Sequence, residues 1–517
     1  MGEPSGMVYL VGAGPGDPGL LTRAGRDALA RADVVVYDFL ASPLLLDLAP
    51  PGALLIAAGK TIGHATLSQS AINEVLSEHA RLGRSVVRLK GGDPYVFGRG
   101  AEEAEHLASL GIPFRIIPGV TAAVGASAYS GIPITHRDAA SAVAFVTGHG
   151  DPEATGDGPN RNRLDWSALA RFPGTLVVYM GVTRLAALCR TLIREGKPAT
   201  TPAAIVESAT LPRQRTVVAT LADLPEKAER AGIGPPALMI VGEVVARRPA
   251  LDWFESLPLF GRRIVITRPV EEADRSAAAL ETLGAEVIRS PTVRILPIDD
   301  PGPLDDAIDR LPAFDWLVFT SANGVRHFFD RLDATGRDLR AVGHMRFAAI
   351  GPTTAEALRA LRLRADVVPS TFRSEALAEA LAPRVAGQSV LLARADRGRT
   401  ILRDELEGLA RVEQVAVYRN ADVEALPAGL ADRIAEGAVD WITLTSSAIA
   451  ERLHALLPEG ARARIGRDVA LASLSPITSA TIARLGWPVA AEAADATWEG
   501  VVGAIVAAEA ARRSAPS

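Results

Sequence analysis

The sequence predicts a multidomain α/β protein, and three observations carry that expectation. Short β-branched runs alternate with Ala/Leu/Arg-rich stretches of helical length almost without pause. At 517 residues the chain is too long for a single hydrophobic core, while 48% apolar content is enough to fill several. Prolines and charges interrupt every apolar run before it reaches membrane-spanning length.

In chain order, Val8–Val11, Val34–Tyr37, Val86–Leu89, Ala144–Thr147, Leu176–Met180 and Ala237–Val241 read as strands. Leu20–Ala30, Gln69–Leu82, Gly100–Leu110 and Thr183–Glu195 read as helices. Asp151 to Arg163 is rich in Gly, Pro and Asn and reads as a mobile loop. Between Arg247 and Gly261 an apparent final strand gives way to Pro249, Trp253 and Pro258 before a new strand at Ile264–Thr267, which marks a domain boundary.

Composition narrows the function. A net charge of −5 without any block of five like charges argues against general nucleic-acid binding. One cysteine, Cys189, excludes an internal disulfide and any cysteine-rich metal site, so no metal is expected. Met1 to Gly6 carries no basic segment before its apolar stretch, and a cytoplasmic protein with no membrane association is the expectation. Of 55 basic residues only four are lysines: Lys60, Lys90, Lys197 and Lys227. In so arginine-rich a chain Lys60 and Lys90 are either surface residues left by chance or amines kept for chemistry that a guanidinium lacks.

The richest stretch runs from Val87 to Gly100. A strand meets Gly91-Gly92, then Asp93-Pro94, then Gly98 and Gly100. The glycine pair lets the backbone turn sharply and approach a ligand, and Asp93 behind it can accept hydrogen bonds from a hydroxyl or ammonium group. A small-molecule cradle at a strand's C-terminal end is the expectation. Two other loops mislead. Gly12-Ala13-Gly14-Pro15-Gly16-Asp17 follows a strand like a dinucleotide fingerprint, but Asp17 replaces the third glycine, and Pro15 and Pro18 offer no amide to a pyrophosphate. Gly59-Lys60-Thr61 ends like a phosphate loop with Leu54 where its first glycine belongs. A ligand with a sulfonium, an amino-acid end and an adenosine, but no phosphate, suits such loops better.

The second half repeats itself. Phe314-Asp315-Trp316-Leu317-Val318-Phe319-Thr320-Ser321-Ala322 recurs 125 positions later as Val439-Asp440-Trp441-Ile442-Thr443-Leu444-Thr445-Ser446-Ser447. Gly351-Pro352-Thr353-Thr354-Ala355 recurs as Ser475-Pro476-Ile477-Thr478-Ser479 at a spacing of 124. Two similar lobes follow. Their hydroxyls are either helix caps or, with the positive helix ends, holders of carboxylates.

Two families are then recognisable. Tyr9 to Thr22, Ala32 to Asp38, Lys90 to Gly100, Ile117 to Ala122, Gly131 to Arg137 and Phe145 to His149 together closely resemble the uroporphyrinogen-III C-methyltransferases. Beyond the boundary, Ile264 to Pro269, Phe319-Thr320-Ser321, Ile350 to Thr354 and Val417-Tyr418-Arg419 resemble the uroporphyrinogen-III synthases. The resemblance implies a two-lobed tetrapyrrole methylase fold over 6–246 (lobes of about 6–117 and 118–246), a linker over 247–261, and a bilobal α/β synthase fold over 262–517. In the synthase half, about 262–295 with 423–510 would form one lobe and about 296–420 the other, with a hinge between.

The implied cofactor is S-adenosylmethionine, released as S-adenosylhomocysteine, and the implied assembly is a homodimer through the methyltransferase. Pro15, Gly91, Gly92, Asp93, Val96, Thr121, Ala122 and Met180 would line the cofactor site. Ala209 stands where the family commonly has glycine, which a backbone contact tolerates unless φ is positive there. Thr61 replaces an arginine often found after the family's lysine. By correspondence Asp38 would accept a proton and Lys60 donate one, while Tyr418 would assist departure of a hydroxyl in the synthase half. Thr320, Ser321, Thr353 and Ser446 would hold substrate carboxylates, with Arg268 and Arg394 as bidentate candidates. The expected reactions are cyclisation of hydroxymethylbilane to uroporphyrinogen III and its double methylation to precorrin-2. The alternative is a methylase of another tetrapyrrole with a non-catalytic synthase-like binding domain.

Overall fold

The structure is a computed structural model that describes residues 6–59, 67–150, 152, 164–397 and 400–514, with only the backbone at 270–272. Two compact units emerge, Met1–Arg262 with Thr282–Glu286 and Arg263–Glu281 with Val287–Ser517.

The first unit holds two five-stranded sheets. In the first, β1 (Val8–Gly12), β2 (Val34–Tyr37), β3 (Leu54–Ala57), β4 (Val86–Lys90) and β5 (Phe114–Ile117) lie in the order β3-β2-β4-β1-β5, all parallel. Val34, Val35 and Val36 are fully buried on both faces, which is why this strand reads as an unbroken apolar run rather than an alternating one. The chain leaves β1 for β2 on one side and leaves β4 for β5 on the other, so a switch point opens between these neighbours at their C-terminal ends.

The second sheet contains β6 (Val143–Thr147), β7 (Thr175–Tyr179), β8 (Pro202–Glu207), β9 (Arg215–Thr220) and β10 (Ala237–Val241) in the order β6-β7-β10-β8-β9. Only β6 and β7 pair in parallel.

Local chemistry sets the helices. Ser68 caps Gln69–Arg81 by accepting from the Ala71 amide, and the left-handed Gly131 closes Ala122–Ser130. The helix expected over Leu20–Ala30 is instead a short 3-10 turn, Pro18–Leu20, followed by a helix over Arg23–Leu29. Asp17 caps the first and Thr22 the second, and two caps so close together divide the run. The loop expected at Asp151 to Arg163 lies, except for Pro152, outside the described residues.

The second unit also holds two sheets. One is β12-β11-β18-β19-β20, from β11 (Arg263–Ile266), β12 (Glu286–Arg289), β18 (Trp441–Leu444), β19 (Ala470–Ser473) and β20 (Ala491–Glu492). The other is β13-β17-β16-β14-β15, from β13 (Val293–Leu296), β14 (Trp316–Phe319), β15 (Arg346–Ala349), β16 (Ser389–Ala395) and β17 (Arg411–Asp422). The chain crosses between them twice, and the two crossings meet where β13 pairs antiparallel with the last four residues of β17.

The internal repeat is a repeat of structure. β14 and β15 pair in parallel as β18 and β19 do, each strand leading into a helix. The four residues preceding those helices, Ser321, Gly351, Ser446 and Ser475, share one extended conformation with φ between −157° and −168°. Among the described residues no helix is long and apolar enough to cross a membrane.

Candidate functional site

In the first unit the loops after β1, β4 and β5 meet at the switch point through main-chain contact. Gly14 and Gly92 form an isolated antiparallel bridge, their amides donating to each other's carbonyls at 3.2 and 2.7 Å. A methyl group on Gly12 would lie 2.5 Å from the Gly119 nitrogen and 2.6 Å from the Gly92 oxygen. Gly92 itself has φ +69°, and a Cβ there would meet nothing nearer than the Ala122 nitrogen at 3.6 Å, so this loop lies within van der Waals range of the helix that follows β5. Glycine is needed at 12 and 119 for closeness and at 92 for conformation.

Asp93 has partners within the protein as well as acceptor capacity left for a ligand. Its Oδ1 accepts from the Tyr95 and Val96 amides and its Oδ2 from the Gly119 amide at 3.1 Å, so it braces the β4 loop to the β5 loop. Pro15 packs on the helix Ala122–Ser130, since a Cβ on Gly125 would fall 2.4 Å from its ring. Asp17 ties the β1 loop to the second sheet: its amide donates to Thr210 Oγ1 at 3.0 Å and its carboxylate accepts from Tyr129 at 2.6 Å.

The second sheet supplies the facing wall. Tyr179 ends β7, and its hydroxyl sits 2.7 Å from Thr121 Oγ1 and accepts from the Ala123 amide at 2.9 Å. Burial pushes that phenol above its ordinary value. Phe97 packs 4.8 Å from the Tyr179 ring, and Val96, Ala122 and Ala209 pack on the same apolar core. Met180, next along, is exposed at the rim.

Backbone strain gathers here. Among the described residues six that are not glycine have positive φ, and five of them lie on these loops: Phe97, Arg99, Met180, Ser208 and Thr210. Such residues cost of order 1–3 kcal/mol each and collect where a ligand is held. Ala209, between two of them, is not among the six, so its methyl group is accommodated without strain.

Proline at 15, 18, 94 and 118 removes amide donors from the same loops, while Val96, Phe97, Ala122, Tyr179 and Met180 add apolar surface. That combination fits an adenosine with a sulfonium and gives a pyrophosphate no nest of amides. Gly91 completes the loop, with Leu40 close against it.

Beside these loops runs a line of charge through apolar surroundings. Arg88 and Lys90 sit two apart on β4, both 2% exposed, and both reach Glu103 Oε1, at 3.1 and 2.9 Å. Glu103, in the first turn of Gly100–Ser109, is fully buried. The other arm of Arg88 donates to Asp38 Oδ1 at 2.5 Å, at the end of β2. Burial first, then the neighbouring Arg88, lowers the Lys90 ammonium from its ordinary value. Lys60 and Thr61 lie outside the described residues.

In the second unit, the Tyr418 hydroxyl lies 3.0 Å from Ser321 Oγ, and its ring stacks on His327. Ser321 and Ser446 are helix caps, accepting from the Gly324 and Ile449 amides at 2.9 and 3.3 Å. Thr320 is half-buried just before Ser321, and Thr353 is exposed in the first turn of Pro352–Ala360. Arg394, buried on β16 beside β17, donates to Gln414 Oε1 and the Arg397 carbonyl. Arg268 lies over the Trp498 ring at 5.3 Å. Tyr418, Ser321, Thr320, Thr353 and Arg394 thus belong to one sheet's strand ends, and Ser446 and Arg268 to the other's.

Sequence reasoning missed Arg88, Glu103 and Tyr179. The signal for the first two was present, because charges at alternate positions of an otherwise apolar parallel strand must be paired, and a carboxylate follows one loop later. Nothing short of the fold could have shown the Tyr179 hydroxyl meeting the start of the helix after β5.

Comparison with known proteins agrees with this division. Residues 7–225 match the family model of Tetrapyrrole (Corrin/Porphyrin) Methylases, and residues 274–503 that of Uroporphyrinogen-III synthase HemD. The Porphyrin biosynthesis protein HemD of Ruminiclostridium josui is 37% identical over 91% of this chain and 91% of its own. The Uroporphyrinogen-III C-methyltransferase of Bacillus subtilis is 42% identical over 65% of this chain and 68% of its own. Among solved structures, a Uroporphyrin-III C-methyl transferase of Thermus thermophilus complexed with S-adenyl homocysteine is 42% identical, covering 47% of this chain and 99% of its own at a TM-score of 0.40. With both family models matched and one relative similar along nearly its whole length, the chain belongs to the family in which a tetrapyrrole methylase is joined to a HemD-type uroporphyrinogen-III synthase.

Proposed function

We propose that the second unit closes hydroxymethylbilane into uroporphyrinogen III and that the first methylates this product at C2 and C7 to give precorrin-2. The observation that carries the methylation half is the crowding of five left-handed, non-glycine residues on the proline-rich loops that meet at the switch point. S-adenosylmethionine, when bound there, supplies an electrophilic methyl group. Pro15, Gly91, Gly92, Val96, Thr121, Ala122, Met180 and Ala209 hold it, and Asp93 keeps two of their loops together.

Orientation of an electron-rich ring carbon toward that methyl group supplies much of the acceleration. The ring sheds a proton as the new carbon–carbon bond forms. Asp38, partly exposed at the end of β2 and held by Arg88, accepts it, and Lys60 is the matching donor.

In the second unit the Tyr418 phenol donates a proton to the departing hydroxyl, water leaves, and the chain closes on its last ring with inversion. Support comes from the position of the phenol, within hydrogen-bond reach of Ser321 beyond the end of β14, two strands away across β16. Arg394 and Arg268 suit a polycarboxylate substrate. A homodimer through the first unit and a cytoplasmic setting complete the proposal and rest on the family resemblance.

The test is direct. Purified protein is incubated with hydroxymethylbilane and methyl-labelled S-adenosylmethionine, and label is followed into the macrocycle. Two labelled methyl groups per ring of the type III isomer are expected. Label that enters only when uroporphyrinogen III is supplied ready-made would reduce the second unit to a binding domain.

A further inference from the structure

We infer that Glu103 is a positioning residue for methyl transfer: through Arg88 it fixes the place of the Asp38 carboxylate. This rests on the reading of Asp38 as proton acceptor.

The geometry is a chain of contacts. Glu103 Oε1 accepts from Arg88 Nε at 3.1 Å, from Lys90 Nζ at 2.9 Å and from Gln69 Nε2 at 3.1 Å. The Arg88 fork is anchored at that end, and its Nη1 points to the carbonyls of Val36 and Leu89 at 3.4 Å. Only its Nη2 reaches outward, to Asp38 Oδ1 at 2.5 Å. A guanidinium is planar and rigid, so fixing its Nε edge also fixes the direction in which Nη2 presents its proton. The carboxylate at the far end is the one member with appreciable exposure, its side chain 32% open against 3% or less for Arg88, Lys90 and Glu103.

Stability alone is a poor reason for this arrangement. Apolar residues of similar volume in place of buried ion pairs are often neutral or stabilising. Here Glu103 Oε2 has no hydrogen-bond partner among the described residues, a further desolvation cost that Leu at 103 would not carry. Two cations, Arg88 and Lys90, stand against two carboxylates, Glu103 and Asp38, so the line is balanced only with Glu103 in place. Neutralising Glu103 leaves the Nε edge of Arg88 only a weaker, uncharged acceptor and lets Nη2 swing away from Asp38.

The experiment is a double-mutant cycle on the full chain, reading kcat for methyl transfer to uroporphyrinogen III and, by calorimetry, affinity for S-adenosylhomocysteine. Glu103→Gln is expected to lower kcat roughly 10- to 100-fold while affinity stays within about twofold. Added to Asp38→Asn, the same change should cost less than about twofold in kcat, because the group it positions is already disabled. An equal loss in both backgrounds, a parallel loss of affinity, or wild-type kcat in Glu103→Gln beside a crippled Asp38→Asn overturns the inference and leaves Asp38 as acceptor. Wild-type kcat in Asp38→Asn instead overturns the reading beneath it. Should Glu103→Gln fail to fold, Glu103→Gln with Lys90→Met removes one charge of each sign and must show the same selective loss of kcat.

Discussion

A single methyl group on Gly119 should pry the loops after β1, β4 and β5 apart. Its Cβ would lie 2.3 Å from the Gly92 carbonyl oxygen, 2.7 Å from Gly12 Cα and 2.9 Å from the Gly12 carbonyl carbon, all well inside the 3.4 Å at which ordinary contact begins. Gly119 does not itself have positive φ, so alanine meets no conformational penalty and the cost is contact alone. Overpacking costs about 1–3 kcal/mol, and main-chain neighbours that cannot turn aside put Gly119→Ala at the top of that range. At about 2–4 °C per kcal/mol for a unit of this size, melting should fall by roughly 6–12 °C. The β5 loop must retreat, stretching the Asp93–Gly119 bond and carrying Thr121 and Ala122 with it, and a displacement of about 1 Å costs about 100-fold in turnover. Differential scanning calorimetry and a methyl-transfer rate assay read the two effects, and titration with S-adenosylhomocysteine reads the fit of the displaced loop. Gly52→Ala is the control, because nothing lies within 4 Å of its Cβ position. If Gly119→Ala melts with the wild type and binds as tightly, the three loops do not meet as described.

The other expectations concern the second unit. Ser321→Ala and Ser446→Ala each remove a cap and should each lose about 1 kcal/mol in chemical denaturation. Ser321→Ala should lose about 1 kcal/mol more, because its hydrogen bond with the Tyr418 hydroxyl goes as well. Tyr418→Phe should cost only about 0.5–1.5 kcal/mol of stability yet sharply reduce the type III share of the cyclised product, read by chromatography of the isomers; an unchanged isomer ratio removes the phenol from the chemistry. His454, packed on Trp487, is held below its ordinary value of 6.5 by burial and then by Arg462. The unfolded chain therefore takes up the proton first: the stability this site contributes is present above pH 6.5 and lost as pH falls toward the folded value, so His454→Gln should flatten the denaturation midpoint over that window.

Much of this architecture was legible in the sequence because parallel strands buried on both faces must be apolar nearly throughout, as Val34 to Val36 are and as Val86 to Leu89 are but for the paired Arg88. The Gly91-Gly92 turn was legible for a related reason, since only glycine satisfies its geometry. What the glycines do was less so. Gly12 and Gly119 are 107 positions apart, and no local pattern announces that each leaves room for the other. Asp93 has a second role hidden by the same distance in sequence: its Oδ2 accepts from the Gly119 amide and ties the β4 loop to the β5 loop. The repeated hydroxyls were open to two readings, and their side chains do act as caps at Ser321 and Ser446.

Capping does not exhaust those serines. A hydroxyl that accepts from a helix amide still has a proton to give, and at Ser321 that capacity is directed at Tyr418, whose oxygen can equally donate back. The repeat supplies each sheet with two extended residues opening helices, at 321 and 351 in one and at 446 and 475 in the other. Matching positive helix ends are what holding the several carboxylates of one substrate requires. Tyr418 lies outside the repeated segments. It belongs to β17, whose last residues pair with β13 where the chain crosses between the sheets. On the proposed roles, duplication could double the ends offered to anions but not the acid, Tyr418, which the crossing strand supplies to one lobe alone. On the proposed reaction this asymmetry is needed, because a ring that closes with one pyrrole inverted offers a single departing hydroxyl and calls for a single donor.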